Sequence, residues 1–183
     1  MTVDADVPGF GKRAAQEGDL LLVHYKGTLS TGEVFDSTLG GEVVRTNASS
    51  VSIQPAAAVP RAISLRVGDV QPGVCAGLRT ALLGMRVGGK RTVTVPPELG
   101  FGQVRPTPLP LAALPTRLRK PRVQAQVAAP YAVVPPGSTL RYELQLLRLS
   151  STGPDALFAG VAQCGIGGAG AQMAGCDAIV PQE

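Results

Sequence analysis

The sequence predicts an α+β domain, several strands wrapped on one short helix. Three observations carry that expectation. Residues 91–95 alternate, with Val93 and Val95 on one face and the β-branched Thr92 and Thr94 on the other, until Pro96-Pro97 stops the pattern. Residues 140–146 alternate as strictly and turn Leu140, Tyr142, Leu144 and Leu146 inward. Between Pro72-Gly73 and Gly84, by contrast, Val74, Leu78 and Ala81/Leu82 recur at helical spacing, with Gly84 suited to a left-handed cap.

The remaining elements follow in chain order. Leu20-Leu21-Leu22-Val23-His24-Tyr25 is an apolar run of strand length between Gly18-Asp19 and Gly27, and reads as a buried strand. Thr31-Gly32 then separates Leu29 from Val34-Phe35, the signal of a strand, a tight turn and a return. Residues 41–62 and 103–132 have no sustained period, and the second holds six prolines, so both read as irregular insertions into a domain spanning 1–150. Near their starts stand Val44-Arg45 and Val104-Arg105, whose codons can form a splice donor, so translated intron sequence is an alternative reading of each. The stretch 151–183 is Gly/Ala-rich without Lys or Arg and reads as a flexible tail. Its 21 uncharged residues between Asp155 and Asp177 include six glycines, a poor composition for a membrane span.

Composition narrows the function classes. Gly (23) and Pro (16) together are too frequent for a helix bundle, and aromatic residues at 4% with no Trp leave the core short of ring filling. Three cysteines (Cys75, Cys164, Cys176) without a Cys-x-x-Cys pair, beside a single His24, exclude a zinc framework, and no metal or other cofactor is expected. Cys164 and Cys176 read as idle thiols or as one pair in the tail. The net charge of +4 is concentrated in 103–132, where Arg105, Arg117, Arg119, Lys120 and Arg122 meet no acid. No aromatic residue is interleaved among them, so a solvated loop is expected rather than a nucleic-acid surface. Met1 to Asp6 lacks the basic and apolar regions of a secretory signal, which by itself predicts a protein that stays in the cytoplasm where it is made.

Several separated motifs resemble, in order, the FKBP family of peptidyl-prolyl cis-trans isomerases. Gly18-Asp19, Val23-His24-Tyr25-Lys26-Gly27-Thr28-Leu29 and Gly32-Glu33-Val34-Phe35-Asp36-Ser37 are similar to its first block. Val74 to Leu78, Leu83-Gly84-Met85-Arg86-Val87-Gly88-Gly89-Lys90-Arg91 and Val95-Pro96-Pro97-Glu98-Leu99-Gly100-Phe101-Gly102 are similar to its second. Val134-Pro135-Pro136-Gly137-Ser138-Thr139-Leu140 through Leu144 resembles its last strand. The wording of the middle block is most similar to plant and algal plastid members, which implies a chloroplast location in the thylakoid lumen.

The resemblance implies a strongly curved antiparallel sheet around the helix, with an apolar cleft between them that speeds rotation about X-Pro bonds and assists protein folding. Carried across, Tyr25, Phe35, Asp36 and Phe101 take catalytic positions, and Ile63, Val74, Cys75, Leu78, Val134 and Tyr142 bind substrate. Three positions depart from the family. Leu78 replaces the Trp that floors the pocket, Phe101 a Tyr whose hydroxyl donates to the bound peptide, and Ile63 a Phe. A lost neutral hydrogen bond is worth about 0.5–1.5 kcal/mol, so reduced activity and weak macrolide affinity are implied.

Read from the residues alone, Tyr25 and Phe35 fit plain core aromatics, Asp36 a turn former, and Cys75 a small hydrophobe. His24, on the opposite strand face from Tyr25, reads as a surface or second-layer residue. The expected partners are proline-containing proteins or peptides, acted on by a monomer. A non-catalytic FKBP-like binding module is the alternative function.

Overall fold

A computed structural model gives the fold and describes residues 1–46, 51–56, 58–101, 127–129, 132–135 and 137–158. The strands are β1 (Thr2–Val7), β2 (Leu20–Leu29), β3 (Val34–Ser37), β4 (Glu42–Thr46), β5 (Val51–Pro55), β6 (Arg61–Ser64), β7 (Lys90–Val95), β8 (Val127–Ala129), β9 (Ala132–Val133) and β10 (Leu140–Ser150). The helices are α1 (Ala76–Leu82) and α2 (Pro154–Phe158). Six strands form an antiparallel sheet in the order β1-β7-β10-β2-β3, with β6 also on β2. The α+β expectation holds.

Strand β10 is the centre. It pairs with β2 from Leu140↔Leu29 to Ser150↔Leu20 and with β7 from Leu140↔Val95 to Gln145↔Lys90. Its alternation sends Leu140, Tyr142, Leu144 and Leu146 to the inner face, where all are buried with Val93 and Val95 of β7 and Leu21, Val23 and Tyr25 of β2. A register shift between Leu146 and Arg148 ends the strict alternation and buries Leu147 as well. Leu22 and Leu147, on β2 and β10, and Leu157 on α2, which packs on both strands, are buried outside the main cluster.

Helix α1 fills the inner face. Gly77, Leu78, Ala81 and Leu82 are its buried stripe, and Cys75 caps its start, its Sγ accepting from the Leu78 N–H at 3.4 Å. Beyond its end the chain turns at Gly84, whose φ of 77° is the left-handed value that favours glycine. Arg91 of β7 donates to the carbonyls of Ala81 and Leu83, at 2.8 and 3.0 Å, and also pairs with Asp6 of β1 at 2.9 Å. One guanidinium thus satisfies carbonyls that the helix end leaves open and ties the edge strand to the helix.

Two sequence expectations are corrected and one strand is added. The segment 41–62 is not irregular: β4 and β5 pair from Glu42↔Pro55 to Thr46↔Val51, and Arg61 and Ala62 belong to β6 in the main sheet. The backbone ladder satisfies this hairpin although only part of it is buried, with Val43 fully enclosed and Ile53 65% exposed, so no clean burial period marks it. The tail is not flexible from its start, because α2 packs there with Leu157 buried. An edge strand, β1, precedes the first expected one and is exposed throughout. Of 103–132, the structure describes β8 and the first residue of β9, which pair with each other. The basic residues from Arg105 to Arg122, and Cys164 and Cys176, lie outside the described residues. Among the described residues no helix is long and apolar enough to cross a membrane, and no cluster of ligating side chains could hold a metal.

The contact between α1 and β7 is close enough to test. A Cβ on Gly77 would lie 2.2 Å from Val95 Cγ1. Alanine is worth about 1 kcal/mol over glycine in a helix, whereas overpacking costs about 1–3 kcal/mol. Gly77→Ala is expected to destabilise the fold by a net of about 1 kcal/mol, read as a lower urea midpoint at unchanged m-value, and Val95→Ala in that background to relieve the clash. A Gly77→Ala variant more stable than the native chain would show that the helix stands clear of the sheet.

Candidate functional site

The hairpin β2–β3 sets two of the expected residues side by side. Gly27 pairs with Asp36 across the ladder, and a Cβ at Gly27 would lie 2.6 Å from Phe35 Cζ, so the missing side chain is what lets the Phe35 ring lie over the strand. From the other side β10 places Tyr142 opposite Gly27 and Leu144 opposite Tyr25. Four rings then meet edge to face: Tyr25 with Tyr142 at 6.0 Å, Tyr142 with Phe35 at 5.8 Å, and Phe35 with Phe101 at 6.3 Å. Such geometry sets the positive ring edge against a negative face, worth about 0.5–1.5 kcal/mol per pair beyond area burial. Ile63 of β6, Leu78 of α1, Cys75, Phe101 and Val134 belong to the same buried cluster, and Val74 packs against it partly exposed.

A polar knot closes one edge of the rings. The Tyr25 hydroxyl donates to Asp36 Oδ2 at 2.6 Å and accepts from Arg61 Nη1 at 2.8 Å, while Arg61 stands 3.7 Å from the Asp36 carboxylate. The second Arg61 nitrogen donates to the Pro72 carbonyl, so the side chain links β6 to the segment leading into α1. Thr38 holds the Tyr25 backbone from behind: its hydroxyl accepts from the Tyr25 N–H at 2.7 Å, donates to the Tyr25 carbonyl at 3.2 Å, and lies 3.1 Å from His24 Nδ1.

All ten residues expected from the sequence are therefore together, Asp36 through its bond to Tyr25 and the rest through apolar packing. Arg61 was missed. It sits in the stretch expected to be irregular, and the available signal was its spacing of two from Ile63, which puts both on one face of a strand. The opening of the site also departs from expectation. Tyr25, Phe35, Ile63, Cys75, Leu78, Phe101, Val134, Tyr142 and Asp36 are all buried, Asp36 being the most exposed at 7%. An open groove of about 590 Å³ instead takes in Val74 and Cys75 and lies on the outer side of α1.

The two phenols and the thiol among the rings are held neutral. Burial raises the Tyr142 phenol well above its ordinary range, with Cys75 adding to the effect, and burial followed by the neighbouring Asp36 raises Tyr25. Burial also pushes the Cys75 thiol up, against hydrogen bonds from Leu78 and Tyr142. A thiol so held offers no nucleophile at neutral pH. What the arrangement can do is enclose an apolar group against four rings and present one carboxylate, fixed by a phenol and a guanidinium, at the rim.

The model of the FKBP-type peptidyl-prolyl cis-trans isomerases matches residues 11–147. An FK506-binding protein of Neisseria meningitidis serogroup A is 32% identical over 141 residues, which cover 77% of this chain and 88% of that protein. Human peptidyl-prolyl cis-trans isomerase FKBP9 is 34% identical over 97 residues, 53% of this chain and 14% of that one. Among solved structures, AtFKBP13 is 24% identical with a TM-score of 0.48, covering 81% of this chain and 90% of that one. FkpA from Escherichia coli is 25% identical with a TM-score of 0.46, covering 78% and 45%. The chain belongs to the FKBP-type peptidyl-prolyl cis-trans isomerase family, whose reaction is rotation about the X-Pro peptide bond.

Two outcomes are expected at this site. Arg61→Ala leaves the buried Asp36 carboxylate with only the Tyr25 phenol, at a cost of about 1–3 kcal/mol in urea denaturation. Adding Asp36→Asn should recover part of that loss, and strictly additive losses would show the pair to be uncoupled. His24, whose pKa burial lowers against a hydrogen bond to Thr38, favours folding when neutral. Its stabilisation is complete above the unfolded value of about 6.5 and is lost as pH falls from there through the folded pKa. His24→Gln should flatten that acid-side slope in a series of denaturation curves, and an unchanged slope would place its origin elsewhere.

Proposed function

We propose that the aromatic cluster is the isomerase site, with Tyr25, Phe35, Asp36 and Phe101 acting on the bound X-Pro unit. Ile63, Val74, Cys75, Leu78, Val134 and Tyr142 enclose it. The observation that carries this reading is the meeting of four rings with the Tyr25–Asp36–Arg61 knot at their edge. The barrier to X-Pro rotation, roughly 18–20 kcal/mol, is the loss of amide resonance on twisting. A walled apolar site lowers it by replacing water around the polar planar amide with surroundings that suit the twisted, less polar geometry. The rings hold the prolyl group. Asp36, kept in place by Tyr25 and Arg61, fixes the polar rim. No proton changes hands, in keeping with phenols and a thiol that stay neutral.

The substrates are proline-containing protein segments, and macrolides bind weakly. Two features support a turnover below that of a site with the family's usual residues: Phe101 brings no hydroxyl, and Leu78 presents less surface than an indole. The plastid-type wording of residues 84–102 supports action in the thylakoid lumen.

The test is NMR exchange or protease-coupled isomerisation of a Leu-Pro peptide. Phe101→Tyr should raise kcat/KM by up to about tenfold, the worth of one neutral hydrogen bond. A native chain that captures the peptide without speeding exchange would make this a binding module, the reading that the burial of nine of the ten residues favours.

A further inference from the structure

Apart from Val74 and Cys75, the groove on the outer side of α1 lies outside the proposed isomerase site. Ala76, Arg79, Thr80 and Leu83 line it, and their spacing makes them the helix face opposite the buried stripe. Its wall is the segment after β6, where Val67 is 78% and Val70 92% exposed. That wall is fixed in shape, because the Arg79 guanidinium donates to the carbonyls of Arg66 and Asp69. Isolated exposed aliphatic residues need no explanation, but these two face one concavity.

We propose that this groove binds the stretch of client chain flanking the proline, and selects there an extended segment carrying an aliphatic residue and a lysine or arginine. The proposal rests on the isomerase reading of the ring cluster. Continuity carries the choice of occupant: Val74 and Cys75 belong to both the groove and the substrate-binding set, so a chain leaving the prolyl site enters the groove. Charge carries the choice of residue. Among the described residues, the charged side chains that line the groove are Glu17, Asp69, Glu98 and Arg79, an acidic balance. Length sets the reach. A helix of seven residues spans about 10 Å, which an extended chain covers in about three residues. The selected side chains therefore lie roughly two to four positions from the proline.

The full chain is assayed by NMR exchange on a capped Leu-Pro tetrapeptide and on the same peptide extended on each side in turn by three residues. The extension carries valine with either lysine or glutamate. The lysine peptide is expected to show kcat/KM about three- to tenfold above the glutamate peptide on one of the two sides, an advantage that falls with added salt. Val67→Asp/Val70→Asp should erase the gain from extension, and Glu17→Lys/Glu98→Lys should reverse the charge preference, both leaving the tetrapeptide rate unchanged. Equal rates for all peptides overturn the proposal, as does a preference that both variants leave intact. A concentration-dependent dimer broken by Val67→Asp/Val70→Asp assigns the groove to a second copy and also overturns it. If the tetrapeptide is not turned over, the isomerase reading fails by itself. Fluorescence anisotropy with the labelled extended peptides then decides the groove: lysine-over-glutamate binding lost in the variants supports it, and equal binding refutes it.

Discussion

Seven residues of helix are all that α1 supplies to the inner face of a six-stranded sheet. At 1.5 Å per residue that is about 10 Å of rod, and the rest of the architecture answers to it. The helix must lie hard against β7, which is why position 77 carries no side chain. Its open carbonyls must be met from outside, and Arg91 reaches them from the sheet. Beyond its first turn the inner face still needs filling, and four aromatic rings do this. The cleft is thus the part of the core that the helix does not reach, lined with the largest side chains the chain possesses.

A core finished with rings rather than aliphatic chains has polar tips to accommodate. The hydroxyls of Tyr25 and Tyr142 are buried and both have partners, Asp36 with Arg61 for one and the Cys75 thiol, at 3.7 Å, for the other. An unpaired hydroxyl there would cost about 1–3 kcal/mol. Satisfying it with a carboxylate demands a cation in turn, and β6 brings Arg61 to that place. The polar rim of the site follows from the decision to fill with tyrosine.

The strict alternations at 91–95 and 140–146 were legible because each strand has one face in the core, and the helix because Val74, Leu78 and Leu82 share a stripe. The ten residues of the proposed site were drawn together by motif resemblance, since Tyr25, Phe35 and Asp36 lie within one hairpin whose turn glycine is explicit. Strands β4 and β5 were not, although Val43, Val44, Thr46, Val51 and Ile53 are β-branched, because a hairpin held by its own ladder need not display a burial period. Arg61 escaped for a related reason: a charge in a supposed loop looks solvated until a strand turns it inward. Strand β1 alternates, but both of its faces are exposed, so the alternation separates no inside from outside. The closure of the rings is a packing property with no local signal.

The central place of β10 has a consequence for how the molecule is made. Its two neighbours, β2 and β7, come earlier in the chain and do not pair with each other, so until residues 140–150 arrive the sheet is two separate ladders with bare inner edges. Pairings such as Leu20 with Ser150 close very long loops, the topology that slows folding and leaves edges available to other chains meanwhile. Assembly of a protein that helps others past slow steps is thus gated by β10, the last of its described strands.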